Sequence, residues 1–220
     1  ERFFRVHDRF KVMSPGGGED EASRPFDRRR NGFILGTGGH LVALETATGA
    51  LRRGAAIQAE VLGIGRASSA CEVNNWPSSP AGIVRAMRLA LRDARLEPSS
   101  VGVVFASANS TRDLDRVEAL ALQEVFGPCG VPVVALKGAL GEFGAAGSAA
   151  LTAAICCLGQ GVLPPTVGVH EPDPALAVSL SPASQPTDAR VALINATAAG
   201  GAQYSLLVRA LRPGEFEPGA

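Results

Sequence analysis

Apolar residues recur at helical spacing in three stretches of the chain and gather into short runs between them. Ile83, Val84, Met87, Leu91 and Ala94 share one face of a helix. A second helix is predicted over residues 113–126, with Leu114, Val117, Ala121 and Val125 inward and Thr111 or Asp113 as its cap. A third, over 144–158, is built of small residues and ends near Gly159 and Gly161, ahead of Pro164-Pro165. Residues 101–106 (VGVVFA) and 131–136 read as strands, the first of them buried. Residues 191–195 and 204–210 read as the final strands, parted by a Gly200-Gly201 turn. Upstream, 32–36 (GFILG) and 40–45 (HLVALE) read as two short strand segments around a glycine-rich turn, and 55–64 as a third strand. Residues 66–82, rich in Ser, Asn and Pro, read as a loop. So do residues 1–30, with Pro15-Gly16-Gly17-Gly18 and the acidic run Glu19-Asp20-Glu21; this loop is expected to pack on something else.

Strands alternating with helices predict an α/β layered fold, a mixed sheet covered by helices. No low-complexity tract or short-period repeat interrupts it. The 220 residues are 46% apolar and 19% charged, ordinary for a globular protein. Twenty-one basic residues balance 21 acidic ones, which leaves no global pull on nucleic acid or an anionic membrane. No apolar run approaches the roughly 18 residues of a membrane span; the best candidate, 145–158, is too short and rich in Gly and Ala. No signal peptide is visible, and the start at Glu1 rather than Met reads as a processed or incomplete product. None of Cys71, Cys129, Cys156 and Cys157 forms a CxxC pair, and no His stands at metal-ligand spacing. No metal or cofactor is expected. Cys156 and Cys157, inside an apolar helical stretch, read as buried small hydrophobes, which fits a reducing cytoplasm.

Four segments carry more specific information. Ala22-Ser23-Arg24-Pro25-Phe26-Asp27 is followed by Arg30-Asn31-Gly32-Phe33 and by Gly36-Thr37-Gly38-Gly39-His40. By themselves these are a turn and a glycine hairpin, with Arg24 and Asp27 placed for a charged tie between loops. Arg28-Arg29-Arg30 reads as a solvated basic loop able to meet an acidic carrier protein. Residues 103–111 (VVFASANST) run on to Asp115 and Glu118; residues 137–147 read KGALGEFGAAG; residues 194–203 read INATAAGGAQ. The sequons at Asn109 and Asn195 lie inside these segments and read as chance.

In this order the four segments resemble the β-ketoacyl synthase signatures ASRPFD..RDGF..GEGAG, VNAHGTST…D..E, KSMTGHLLGAAG and SNSFGFGGTN. The resemblance covers the chain from about Ala22 to Arg209. It implies the thiolase fold of two related halves, with residues 1–66 ending the first half and 67–220 forming the second. It also places the family's active-site positions at Ser107, Lys137, Glu142 and Ala199. The two family histidines, which polarise the incoming thioester and assist decarboxylation, are Ser107 and Glu142 here. A serine hydroxyl donates a hydrogen bond but carries no charge near neutrality. A carboxylate opposes the negative charge that develops in decarboxylation. Thr37 replaces a family Glu, and His40 stands at a small position, where it reads as a surface or packing residue. Thr197 and Ala199 replace two phenylalanines, so no gate remains. The family's nucleophilic Cys is expected upstream of residue 1.

Residues 103–133 together with 163–166 (LPPT) are especially similar to chain length factor, or KSβ, subunits of type II polyketide synthases, which keep the ketosynthase fold without its active-site residues. The Gly144-Ala145-Ala146-Gly147 helix start is more typical of true synthases. The resemblance implies a non-catalytic, cytoplasmic subunit. It would pair with a catalytic ketosynthase, or with the first half of its own fold, would meet acyl carrier protein through that complex, and would shape an acyl tunnel. The alternative is a divergent synthase whose nucleophile precedes residue 1; a third is a decayed scaffold domain of a megasynthase. In each case an apolar sheet edge and helix face are expected to lie uncovered.

Overall fold

The structure, a computed structural model, describes residues 2–18, 20–72 and 75–211. Glu19 of the acidic run, Val73 and Asn74 of the polar loop, and residues 212–220 of the second predicted stretch lie outside the described residues. The helices are α1 (Arg2–Arg9), α2 (Ala47–Arg52), α3 (Ala81–Ala94), α4 (Arg112–Phe126), α5 (Lys137–Leu140) and α6 (Ala146–Gln160). The strands are β1 (Ala59–Ser68), β2 (Val103–Phe105), β3 (Pro132–Val134), β4 (Val162–Leu163), β5 (Ser179–Leu180), β6 (Gln185–Pro186), β7 (Val191–Thr197) and β8 (Ala202–Ala210).

Six strands form one mixed sheet in the order β1-β8-β7-β2-β3-β5, and β4 pairs with β6 apart from it. The run from β7 through β2 and β3 to β5 is parallel, while β8 is antiparallel to both β7 and β1. Parallel strands buried on both faces read as unbroken apolar runs, which is why VVF and VALI carried no polar alternation. Successive side chains still point to opposite faces. Val104 and Leu193 meet α3 and α4 together with Met87, Leu91, Val117 and Leu122. Val103, Phe105, Ala192 and Ile194 face α6, through Ala150, Ala154 and Leu158.

Helix α3 lies close against β1 because glycines face it. A Cβ at Gly65 would run into the Ala86 carbonyl, and one at Gly63 into that of Ala90. The loop after α3 turns on Arg95, in the left-handed conformation at φ 54°. Helix α6 ends on Gly161 at φ 69°, which frees its last carbonyls to accept from the cap.

Several expectations change. The third strand is β1, four residues further on than residues 55–64, because its partner β8 carries the ladder to Ser68↔Ala202. Residues 32–36 make only isolated bridges, Met13↔Phe33 and Leu35↔Glu142. Residues 40–45 form no strand: no described strand lies beside them to complete their hydrogen bonds, and Leu41 and Leu44 are solvent-exposed. Residues 1–30 are not all loop, since Arg2–Arg9 closes two helical turns. Short α2 was not foreseen either; the Thr46 hydroxyl caps it by accepting from the Gly49 amide at 3.2 Å. No cysteine is fully buried: Cys129 and Cys156 are exposed, Cys71 and Cys157 half-buried. Helix α6 is apolar all round but buries only the face bearing Ala149, Ala150, Ala154 and Leu158, so Cys156 points away from the sheet. At the outer strand of the sheet, Val61 and Ile64 of β1 are also about half exposed.

Candidate active-site cavity

The carboxyl ends of β2 and β7 lie side by side, as parallel pairing requires, and open onto a cavity of about 320 Å³. Ser107, Asn109, Lys137, Glu142 and Ala199 all line it, together with Phe33, Trp76, Phe143 and His7 of α1. Residues from all four motifs therefore meet in one place. Ser107 and Asn109 follow β2, Lys137 and Glu142 follow β3, and Ala199 follows β7.

One wall is the turn from β2 into α4. Thr111 stands at the N-cap position, but its hydroxyl donates to Asn109 Oδ1 at 2.7 Å instead of capping the helix. Asp115, one turn into α4, fastens the turn that leads into the helix. Its carboxylate accepts from the amides of Phe26 (2.7 Å), Asn109 (3.0 Å) and Ser110 (3.1 Å). Burial pushes Asp115 up to about 7, against the pull of the Phe26 and Asn109 amides and of Arg30. Glu118 lies one turn deeper and fully buried. Its Oε1 accepts from the Ser107 amide (2.9 Å) and Asn195 Nδ2 (3.0 Å), while Oε2 has no partner. Burial raises its pKa, opposed by those bonds and by nearby Lys137. A protonated Glu118 keeps both bonds and buries no lone charge.

Ser107 is buried, and its hydroxyl accepts from the Thr197 amide at 3.0 Å. It ties β2 to β7, as a strand-end serine satisfied by backbone does. The loop over residues 22–33 is fastened behind it. Burial alone would raise Asp27, but the amides of Glu171, Arg29 and His170 outweigh it and hold the carboxylate below its ordinary value. The charged tie expected of Arg24 and Asp27 runs through Arg30, which is buried rather than solvated and binds Asp173 at 2.7 Å. Arg24 reaches the Asp20 carbonyl.

Lys137 and Glu142 stand beside the turn from β2 into α4 in the cavity lining. The Lys137 ammonium sits 2.8 Å from Glu142 Oε2, and Asn109 Nδ2 donates to the same oxygen at 2.7 Å. The Glu142 backbone is clamped between Ile34 and Gly36: its amide donates to the Ile34 carbonyl (2.8 Å), and its carbonyl accepts from the Gly36 amide (2.9 Å). That approach needs two glycines. A Cβ on Gly36 would strike the Leu140 carbonyl, and Gly141 at φ 75° lies against Gly36 itself. Ala199 is exposed at the cavity mouth, in the turn before Gly200, and presents only a methyl group. His40 does not line the cavity; it packs near Phe143, ring centroids 6.2 Å apart.

Asn109, noted only as a chance sequon, and Trp76 had not been expected as site residues. Asn109 was visible as a polar residue within the second motif. Trp76, the chain's one tryptophan, stood out in a polar loop, where a large aromatic with a polar handle marks a lining position. Its indole N–H is buried without a partner. Among the described residues no cluster of His, Cys, Asp and Glu is arranged to hold a metal, and no helix is long and apolar enough to cross a membrane.

Layers of helix on a mixed sheet, with a cavity at the strand ends, define a thiolase-like ketosynthase architecture. The chain superposes on a solved ketosynthase/chain length factor of ishigamide biosynthesis with a TM-score of 0.88 at 31% identity, over 96% of this chain and 51% of that one. It matches a β-ketoacyl synthase from Burkholderia phymatum with a TM-score of 0.86 at 29% identity, over 96% of this chain and 52% of that one. Residues 58–170 match the beta-ketoacyl synthase C-terminal domain, and the chain belongs to that family. Over 193 residues it is 40% identical to the ketoacyl synthase beta subunit of the tetracenomycin polyketide synthase of Streptomyces glaucescens, covering 86% of this chain and 46% of the relative. Over 194 residues it is 38% identical to the mitochondrial 3-oxoacyl-[acyl-carrier-protein] synthase of Arabidopsis thaliana, covering 85% of this chain and 42% of the relative. The chain thus spans about half the length of these relatives.

Proposed function

We propose that this chain is part of a non-catalytic ketosynthase-like subunit of the chain length factor type, acting in polyketide or fatty acid assembly. Residues 1–66 would end the first half of its fold and residues 67–220 form the second. It would pair with a condensing ketosynthase, meet acyl carrier protein through that complex, and shape the tunnel in which the acyl chain grows, in the cytoplasm. The observation that carries this reading is the state of the two positions where the family has histidine. Ser107 Oγ accepts from the Thr197 amide, which ties it to β7. Glu142 is bound to Lys137 and Asn109. Neither replaces an imidazole: one offers a single neutral hydroxyl donor with no charge near neutrality, and the other is an anion where negative charge would develop. The similarity to a beta subunit and to a ketosynthase/chain length factor supports the same reading.

The test is co-expression of the intact protein with its cognate ketosynthase. A heterodimer is expected, with product length that changes when side chains lining the tunnel are enlarged. Unchanged product length in the protein's absence would sink the proposal. A second reading, a divergent condensing enzyme, is favoured by the Gly144-Ala145-Ala146-Gly147 helix start and by the similarity to the Arabidopsis synthase. Acyl transfer by the purified protein alone, through a cysteine outside these 220 residues, would establish it.

A further inference from the structure

The charged wall of the cavity holds a ligand-like group that belongs to the chain itself. Lys137 Nζ and Asn109 Nδ2 converge on one carboxylate oxygen at 2.8 and 2.7 Å, as donors do around a bound acid. Lys137 is 8% exposed, so its ammonium requires an anion beside it. The Glu142 main chain is bonded on both sides to Ile34 and Gly36, which fixes where its side chain enters the site. Most of the remaining lining is apolar.

We propose that Lys137 and Asn109 form a carboxylate-binding site that the protein fills with its own Glu142. The cavity thereby refuses anionic ligands and accepts neutral ones. Glu142 is then a specificity-determining residue, a built-in occupant of a site that would otherwise take the carboxylate of a small organic acid. The inference concerns this cavity alone and holds whether or not the chain pairs with a ketosynthase.

Truncation tests it directly. Glu142→Ala removes a fragment the size of acetate and leaves Lys137 and Asn109 in place. Thermal melting of the intact protein is followed in sodium acetate and in sodium chloride at equal ionic strength. The parent is expected to respond equally to both salts. Glu142→Ala is expected to gain a saturable rise in melting temperature specific to acetate, with at least about tenfold tighter apparent acetate binding than the parent. Adding Lys137→Met is expected to abolish that rise. The proposal fails if the parent and Glu142→Ala respond alike, or if the double variant keeps the response. If Glu142→Ala does not fold in chloride, refolding yield becomes the measurement, with Glu142→Gln as the uncharged, shape-preserving control. Recovery in acetate but not in chloride supports the site. Equal recovery in both salts, or none in either while Glu142→Gln folds, overturns it.

Discussion

The carboxylates buried behind the cavity and the one that lines it are held in opposite ways. On the α4 side, Asp115 is held mainly by backbone amides, three of them, and Glu118 by the Ser107 amide and the Asn195 side chain. On the α5 side, Glu142 is held by two side chains, Lys137 and Asn109. Amide donors belong to the fold and stay in place when residues change. Side-chain donors come and go with substitution. The α4 side is therefore scaffold, and the α5 side is where chemistry can be rewritten.

Removing Asp115 attacks the scaffold most severely. Asp115→Ala orphans three buried amides and leaves Arg30 facing no anion at that site, and a loss of about 3–5 kcal/mol in denaturant unfolding is expected. A loss below about 1 kcal/mol would erase the contrast between the two sides.

The pH dependence comes next. Asp115 moves from an ordinary value of 3.8 to about 7 on folding, so the folded state holds more protons between those values. Its stabilising contribution is complete below the unfolded value and is lost as pH rises through the folded one. Stability is expected to fall from about pH 4 to pH 7, with Asp115 contributing up to roughly 1.4 kcal/mol per pH unit, and Asp115→Asn is expected to reduce the slope, Glu118, also raised by burial, keeping a contribution of the same sign. Asp27 and Asp173 are shifted downward, by backbone amides and by Arg30 respectively, so their opposite slope falls at more acid pH. A wild-type curve already flat between pH 4 and 7 would assign Asp115 an ordinary titration.

On the α5 side, Lys137→Met removes one of the two donors to Glu142 and is expected to cost about 2 kcal/mol, roughly half the effect of Asp115→Ala by the same unfolding measurement. Glu118→Gln is expected to change least, within about 1 kcal/mol at neutral pH. Its Oε2 already lacks a partner, and the amide oxygen can accept the same two bonds.

Much of this arrangement was legible in the residues. The long helices α3 and α4 announced themselves by apolar spacing, and β7 and β8 by apolar runs around a diglycine, because in these elements the local pattern and the final packing agree. The four motifs brought Ser107, Lys137, Glu142 and Ala199 into one neighbourhood before any coordinates. What stayed hidden depends on distant partners. Residues 40–45 have strand-forming content, but no described strand lies beside them. Cys156 looked buried because α6 is apolar on every side, and only the packing shows which face meets the sheet. The Lys137–Glu142 pair lies five residues apart in sequence, yet the Asn109 bond that completes it spans 33 positions.

The crossing of Gly36 over Gly141 has a consequence for how such a protein changes over generations. Two strands of loop meet there backbone to backbone, and that meeting fixes where residue 142 begins. It works as a socket whose shape is independent of the fitting placed in it. A different side chain can stand at that point without the surrounding main chain being redrawn. Any side chain larger than hydrogen at Gly36 or Gly141, by contrast, would break the socket at once.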